Sequence, residues 1–111
     1  MYDGSDLLNM IQDKTQELEL ATRKLFKNKQ ELAEAERNYK MLVNKKALEL
    51  RANDMPVTLI GLTIYGYPDI AEARFKRDIA QGRVEANEEY INTTKLILRL
   101  IEAQIGREWT K

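Results

Sequence analysis

The chain has 111 residues, with 18 Lys and Arg against 18 Asp and Glu, so its formal charge is zero. At 43% apolar and 32% charged it is too apolar for a disordered chain and too charged for a membrane protein. Without Cys or His it can form no disulfide, no thiolate metal site and no His-based catalytic triad.

The first residues, Met1-Tyr2-Asp3-Gly4-Ser5-Asp6, are acidic and lack the basic start and apolar run of a signal peptide. From about residue 6 to 52 there is no Gly or Pro, and Leu, Ala, Glu, Lys and Gln dominate. These residues favour helix because they lose little side-chain freedom in it. Ser5 or Asp6 suits the N-cap, where a short side-chain oxygen accepts from free backbone N–H groups. Heptad spacing sets Ile11, Leu18, Leu25, Leu32 and Tyr39 in one row and Leu7, Lys14, Ala21, Asn28, Ala35 and Leu42 in another. Two such rows form a seam for a second helix. Asn53 and Asp54, just before Pro56, stop the helix.

Residues 53–68 form the connection. Charge disappears after Asp54, Val, Thr, Ile and Tyr dominate, and Gly61 and Gly66 punctuate. The run fits either a short strand pair or a short apolar helix started by Pro56, and periodicity does not separate the two.

A second helix is predicted from about 69 to 108. Pro68 suits a first turn and Asp69 the positive end of the helix dipole. Its expected inner positions are Phe75, Ile79, Gly82, Ala86, Tyr90, Thr93, Ile97 and Leu100. The apolar surface widens at Leu96, Ile97, Leu98, Leu100, Ile101 and Ile105, beyond what one partner helix covers.

The expected fold is therefore all-α: one domain, a long antiparallel two-helix hairpin of coiled-coil type with an irregular apolar connection. Folding back at 53–68 makes facing residue numbers sum to about 121. Tyr39 then faces Gly82, Leu42 faces Ile79, and Asn28 lies opposite Thr93. One seam gives a thin core, so the surplus face of Leu96, Ile97, Leu100, Ile101, Ile105 and Trp109 is predicted to close a bundle with a further copy of the chain, the alternative being that it docks a different protein.

Charge is uneven along the sequence. Residues 37–83 hold nine basic and five acidic side chains, a net +4. The end nearest the turn gathers Lys45, Lys46, Arg51, Arg74, Lys76 and Arg77 around Tyr65 and Tyr67. Rings beside cations can stack on bases or anchor a protein interface. They can equally plug the end of a hairpin.

No catalytic set is legible. Gly61-Leu62-Thr63-Ile64-Tyr65-Gly66 lacks the Lys-Ser/Thr of a phosphate loop. Glu31, Glu34 and Glu36, and Glu85, Glu88 and Glu89, read as solvated helix faces, since a di-metal bundle uses Glu-x-x-His. The sequence predicts a non-enzyme with no cofactor and no metal.

The segment Asp54-Met55-Pro56-Val57-Thr58-Leu59-Ile60, followed by Ala73-Arg74-Phe75-Lys76-Arg77-Asp78-Ile79-Ala80, resembles small uncharacterised helical proteins of phages and prophages of Gram-positive bacteria. The ending Leu98–Trp109 is similar as well. The likeness covers roughly the second half and brings no catalytic residues. It implies an accessory phage protein in the host cytoplasm, off the membrane, that binds and modulates a host or phage protein such as a nuclease or defence effector. The competing expectations are an accessory nucleic-acid binder in replication or recombination, and a structural coiled-coil assembly component.

Overall fold

In the computed structural model, which describes residues 4–109, the chain is all-helical. Helix α1 spans Gly4–Ala52, α2 spans Val57–Thr63, a single 3-10 turn spans Ile64–Gly66, and α3 spans Pro68–Trp109. No strand occurs among the described residues. The connection is thus the short-helix alternative. Ser5 and Asp6 lie inside α1, and the predicted capping there gives way to a helix that begins earlier. Residues 1–3 and 110–111 lie outside the described range.

The end of α1 is closed by backbone geometry. Asp54 adopts a left-handed φ of 62°. The N–H of Met55 then reaches the carbonyl of Leu50 at 3.0 Å, and that of Asp54 reaches Arg51 at 3.1 Å. This paired 6→1 and 5→2 pattern is the Schellman motif, which satisfies carbonyls left over at a helix end. Pro56 follows at φ −59° and ψ 142° and sets the chain for α2, whose Ile60 N–H bonds back to the Pro56 carbonyl at 3.0 Å.

The chain forms two compact units. Residues 28–84 make one. Its core is Tyr39, Leu50, Ile60, Ile64, Ile70 and Ala73, with Leu42, Val43, Ala47, Met55 and Tyr67 packed against it. Ile70 is fully buried. Ile60 and Ile64, four residues apart across α2 and the 3-10 turn, share one face and drop together into this core. Here α1 residue numbers fall as those of the returning chain rise: Lys46 meets Tyr67, just before α3, Tyr39 meets Arg77 and Glu31 meets Arg83.

Residues 1–27 and 85–111 make the other unit. Its buried described residues are Leu7, Ala21, Asn87, Ile91, Thr94 and Ile101. Asn87 Nδ2 donates to the Ala21 carbonyl at 3.1 Å, and the Tyr90 hydroxyl donates to Glu17 Oε2 at 3.2 Å.

Both predicted rows of α1 are buried or half-buried throughout. The predicted inner row of α3 is not. Phe75, Ile79, Tyr90 and Leu100 are 58%, 41%, 48% and 61% exposed, and Gly82, Ala86 and Thr93 are exposed too. Of that row only Ile97 is half-buried, and the main covered row is Ile70, Ala73, Arg77, Ala80, Val84, Asn87, Ile91, Thr94, Leu98, Ile101 and Ile105. These recur at alternating steps of three and four, the period of a helix seam. The expected row broke that alternation between Ala86 and Tyr90. It followed the aromatic residues Phe75 and Tyr90, whereas the covered row is made mainly of Ile, Leu, Val and Ala.

The expected register changes with the face. Tyr39 meets Arg77, not Gly82, where a Cβ would find nothing within 4 Å. The pairs at Glu17, Ala21, Glu31, Tyr39 and Lys46 all fall short of the sum of 121.

Candidate interaction surface at the helical corner

Residues 53–68 and their neighbours in the 28–84 unit carry the predicted binding residues. Inward, α2 and the 3-10 turn present Ile60 and Ile64. Outward, they present Val57, Leu59, Leu62 and Tyr65, which are 67%, 43%, 79% and 49% exposed. A seven-residue helix with apolar residues on both faces has one face more than its own core can cover. Leu62, Thr63, Gly66, Tyr67 and Pro68 line a shallow open groove there.

Three cations near this corner lie on tyrosine rings. Lys46 Nζ is 4.9 Å from the Tyr67 ring centre, the Arg74 guanidinium 5.5 Å from Tyr65, and the Arg77 guanidinium 4.8 Å from Tyr39. Each distance is within cation–π range. Arg77 also donates to Asp78 Oδ1 through Nε at 3.1 Å and Nη2 at 2.8 Å. That hydrogen bond raises the Arg77 pKa above its ordinary value, against desolvation. Lys46 pairs with Glu49 at 3.6 Å, and Arg51 donates to the Met55 carbonyl at 3.3 Å.

The predicted residues therefore divide. Lys45, Arg51, Tyr65, Arg74 and Lys76 are exposed; Lys46, Tyr67 and Arg77 are half-buried. Tyr67 packs on the core, so the plug expectation describes it better than the contact expectation does. Residues 45–76 hold five basic side chains (Lys45, Lys46, Arg51, Arg74, Lys76) and four acidic ones (Glu49, Asp54, Asp69, Glu72). The excess positive charge of the wider 37–83 segment comes from positions outside this range, such as Arg37, Lys40, Arg77 and Arg83. Val57, Leu59 and Leu62 were not singled out from sequence. Only Leu62 is assigned outward by the Ile60–Ile64 spacing once helix is known; Val57, three residues before Ile60, falls on the inward face by the same spacing, and its exposure is set by its place at the start of α2.

The predicted oligomer residues divide as well. Leu96, Leu100 and Trp109 are exposed and Ile97 and Ile105 half-buried. Ile101 is only 6% exposed, covered within a single chain because it falls on the α3 seam. The sequence placed it at an oligomer interface; the structure buries it within one chain.

Among the described residues, no group of three or more His, Cys, Asp or Glu is placed to hold a metal ion. No described helix is long and apolar enough to cross a membrane. Compared with known proteins, the chain matches no family model, no curated protein and no solved structure.

Proposed function

We propose that this is a non-enzymatic binding protein, a self-associating antiparallel helical hairpin that docks another protein at its α2 corner. The observation that carries the reading is the outward row Val57, Leu59, Leu62 and Tyr65, exposed on a segment whose opposite face is anchored by Ile60 and Ile64. An apolar centre rimmed by Arg and Tyr has the composition of an interface hot spot. A rigid underside keeps the ordering cost of binding low.

A protein partner is favoured over nucleic acid. Three cations of the region lie on tyrosine rings, and four carboxylates are interspersed with the five basic residues of 45–76. A phosphate-binding surface would be more strongly and more uniformly basic. In the setting that the phage-protein resemblance implies, the partner is a host or phage protein in the host cytoplasm, such as a nuclease or defence effector, and binding modulates it.

The test is capture from infected host cells with wild type and with Leu62→Glu, which places a charge at an exposed site. The expected result is a partner retained by wild type, lost by the variant, and held with little dependence on salt. Equal capture by both chains overturns the corner as the contact surface. A steep fall in DNA affinity with salt would favour the nucleic-acid reading instead.

A further inference from the structure

Three helix faces of the 28–84 unit expose apolar side chains, and their charges differ. The α2 segment Val57–Thr63 holds no charged residue. On α3, exposed Phe75 and Ile79 are flanked by Glu72 and Asp78, and Asp78 is already held by Arg77 at 2.8 Å. The exposed face of α1 is basic.

Between Arg37 and Arg51, α1 turns Tyr39, Leu42, Val43, Ala47 and Leu50 toward the core. The opposite stripe reads Arg37, Met41, Asn44, Leu48 and Arg51, at steps of four, three, four and three. Such residues keep to one line, here about 21 Å long, and helix geometry places Lys40 and Lys45 on its two sides. All seven are exposed, Met41 by 64% and Leu48 by 71%. Among the described residues, no carboxylate lies within ion-pair distance of Arg37, Lys40, Lys45 or Arg51. Glu34 precedes the stripe by one turn. Glu49, the one acid between Arg37 and Arg51, pairs with Lys46 at 3.6 Å.

We infer that this face of α1 docks an acidic amphipathic helix of another protein. Four unmatched cations around Met41 and Leu48 call for a complement that is apolar at its centre and acidic at its rim. An apolar stripe seven residues apart on a helix is matched by the ridge of a second helix. The other apolar faces of this unit do not supply that complement: α2 is uncharged, and α3 offers Glu72 beside an Asp78 that is already paired. Nucleic acid would meet the cations with phosphate but leave Met41 and Leu48 without apolar contact. The residues differ from those of the α2 corner, and the inference stands without that reading.

The test uses the full chain and a synthetic helical peptide with Leu at heptad spacing and Glu on both flanks. Fluorescence anisotropy should show it bound. Lys40→Glu with Lys45→Glu should raise its Kd roughly tenfold or more. Met41→Ser with Leu48→Ser, which removes exposed apolar side chains and keeps every charge, should raise it roughly tenfold. Leu62→Glu, at the corner, should leave it unchanged. Circular dichroism checks that each variant stays helical. No binding by wild type, or equal binding by polyglutamate of the same charge, overturns the inference. So does tighter binding to a short DNA duplex or to vesicles of anionic lipid. Self-association that is lost in the lysine variant would assign the face to a second copy and overturn it too.

Discussion

Asn87 and Ala21, 66 residues apart, are joined by a hydrogen bond of 3.1 Å from a buried side-chain amide to a backbone carbonyl. The bond ties α3 to α1 inside the unit of residues 1–27 and 85–111, and it uses only half of the amide. Asn87 Oδ1 is buried and finds no donor among the described residues.

That orphan acceptor makes Asn87 a position where an apolar residue should stabilise. A buried unsatisfied polar atom costs about 1–3 kcal/mol, and Asn87 lies in the seam between Val84 and Ile91. Asn87→Leu should raise the urea midpoint, through a stabilisation of about 1 kcal/mol after the lost bond is counted. It should also loosen the register that one polar pair helps to fix, seen as faster amide exchange in α3. A lower midpoint for the leucine variant would show that the single bond outweighs the orphan oxygen.

Ile70 tests the other unit. It has no exposed surface and packs with Tyr39, Leu50, Ile60 and Ile64, so Ile70→Ala should cost roughly 2–5 kcal/mol. Tyr65→Ala, at a half-exposed ring, should cost far less. Equal losses of melting temperature would mean that Tyr65 belongs to the core.

How much of this was legible in the sequence differs between the helices. On α1, both rows could be read because apolar residues fill them at unbroken heptad spacing, with Lys14 and Asn28 as the only polar intrusions, although Leu8, Leu20, Phe26, Met41 and Leu48 lie exposed off the rows. On α3, apolar residues occupy two faces. Side-chain size pointed to Phe75, Tyr90 and Leu100, while the unbroken three–four alternation pointed to the row that includes Arg77, Asn87 and Thr94. Alternation was the better guide, because it tracks the geometry of the contact and size does not. The polar members are accommodated locally: Arg77 lies on the Tyr39 ring, and Thr94 Oγ1 donates to the Tyr90 carbonyl at 2.8 Å. At the corner, the cations and tyrosines were identifiable by type. Their pairing ring by ring was not, because it depends on the path of α2.

Glu17 gives a pH dependence with a definite sign. Its pKa lies below the ordinary 4.5, chiefly through the hydrogen bond from Lys14 at 3.1 Å, with burial opposing and Tyr90 adding a second bond. A carboxylate lowered in the folded state contributes stability above its unfolded pKa and loses it as pH falls through the folded value. The stability gap between wild type and Glu17→Gln should therefore be present at pH 7 and close below pH 4.5. It should be small, because the pair is only half-buried and open to screening by salt. A gap that widens as pH falls would contradict the assignment.

The last prediction concerns Asp54, the described non-glycine residue with a positive φ, at 62°. The left-handed conformation crowds Cβ against the following carbonyl, a cost of about 1 kcal/mol for most residues that glycine avoids. Asp54 occupies the C′ position of a Schellman motif, where glycine is the usual choice. Asp54→Gly should therefore stabilise the chain by up to about 1 kcal/mol, less what glycine adds to the freedom of the unfolded state. Asp54→Ala keeps the crowding and loses the short polar side chain that tolerates this conformation, so it should not stabilise. Asp54→Val, branched at Cβ, should destabilise most. The order Gly, Asp, Ala, Val in thermal midpoint tests the turn itself, because none of these changes touches the Ile60, Ile64 and Ile70 packing beneath it. A valine variant as stable as wild type would mean that the chain leaves α1 by another path, and the outward placement of Val57, Leu59 and Leu62 would go with it.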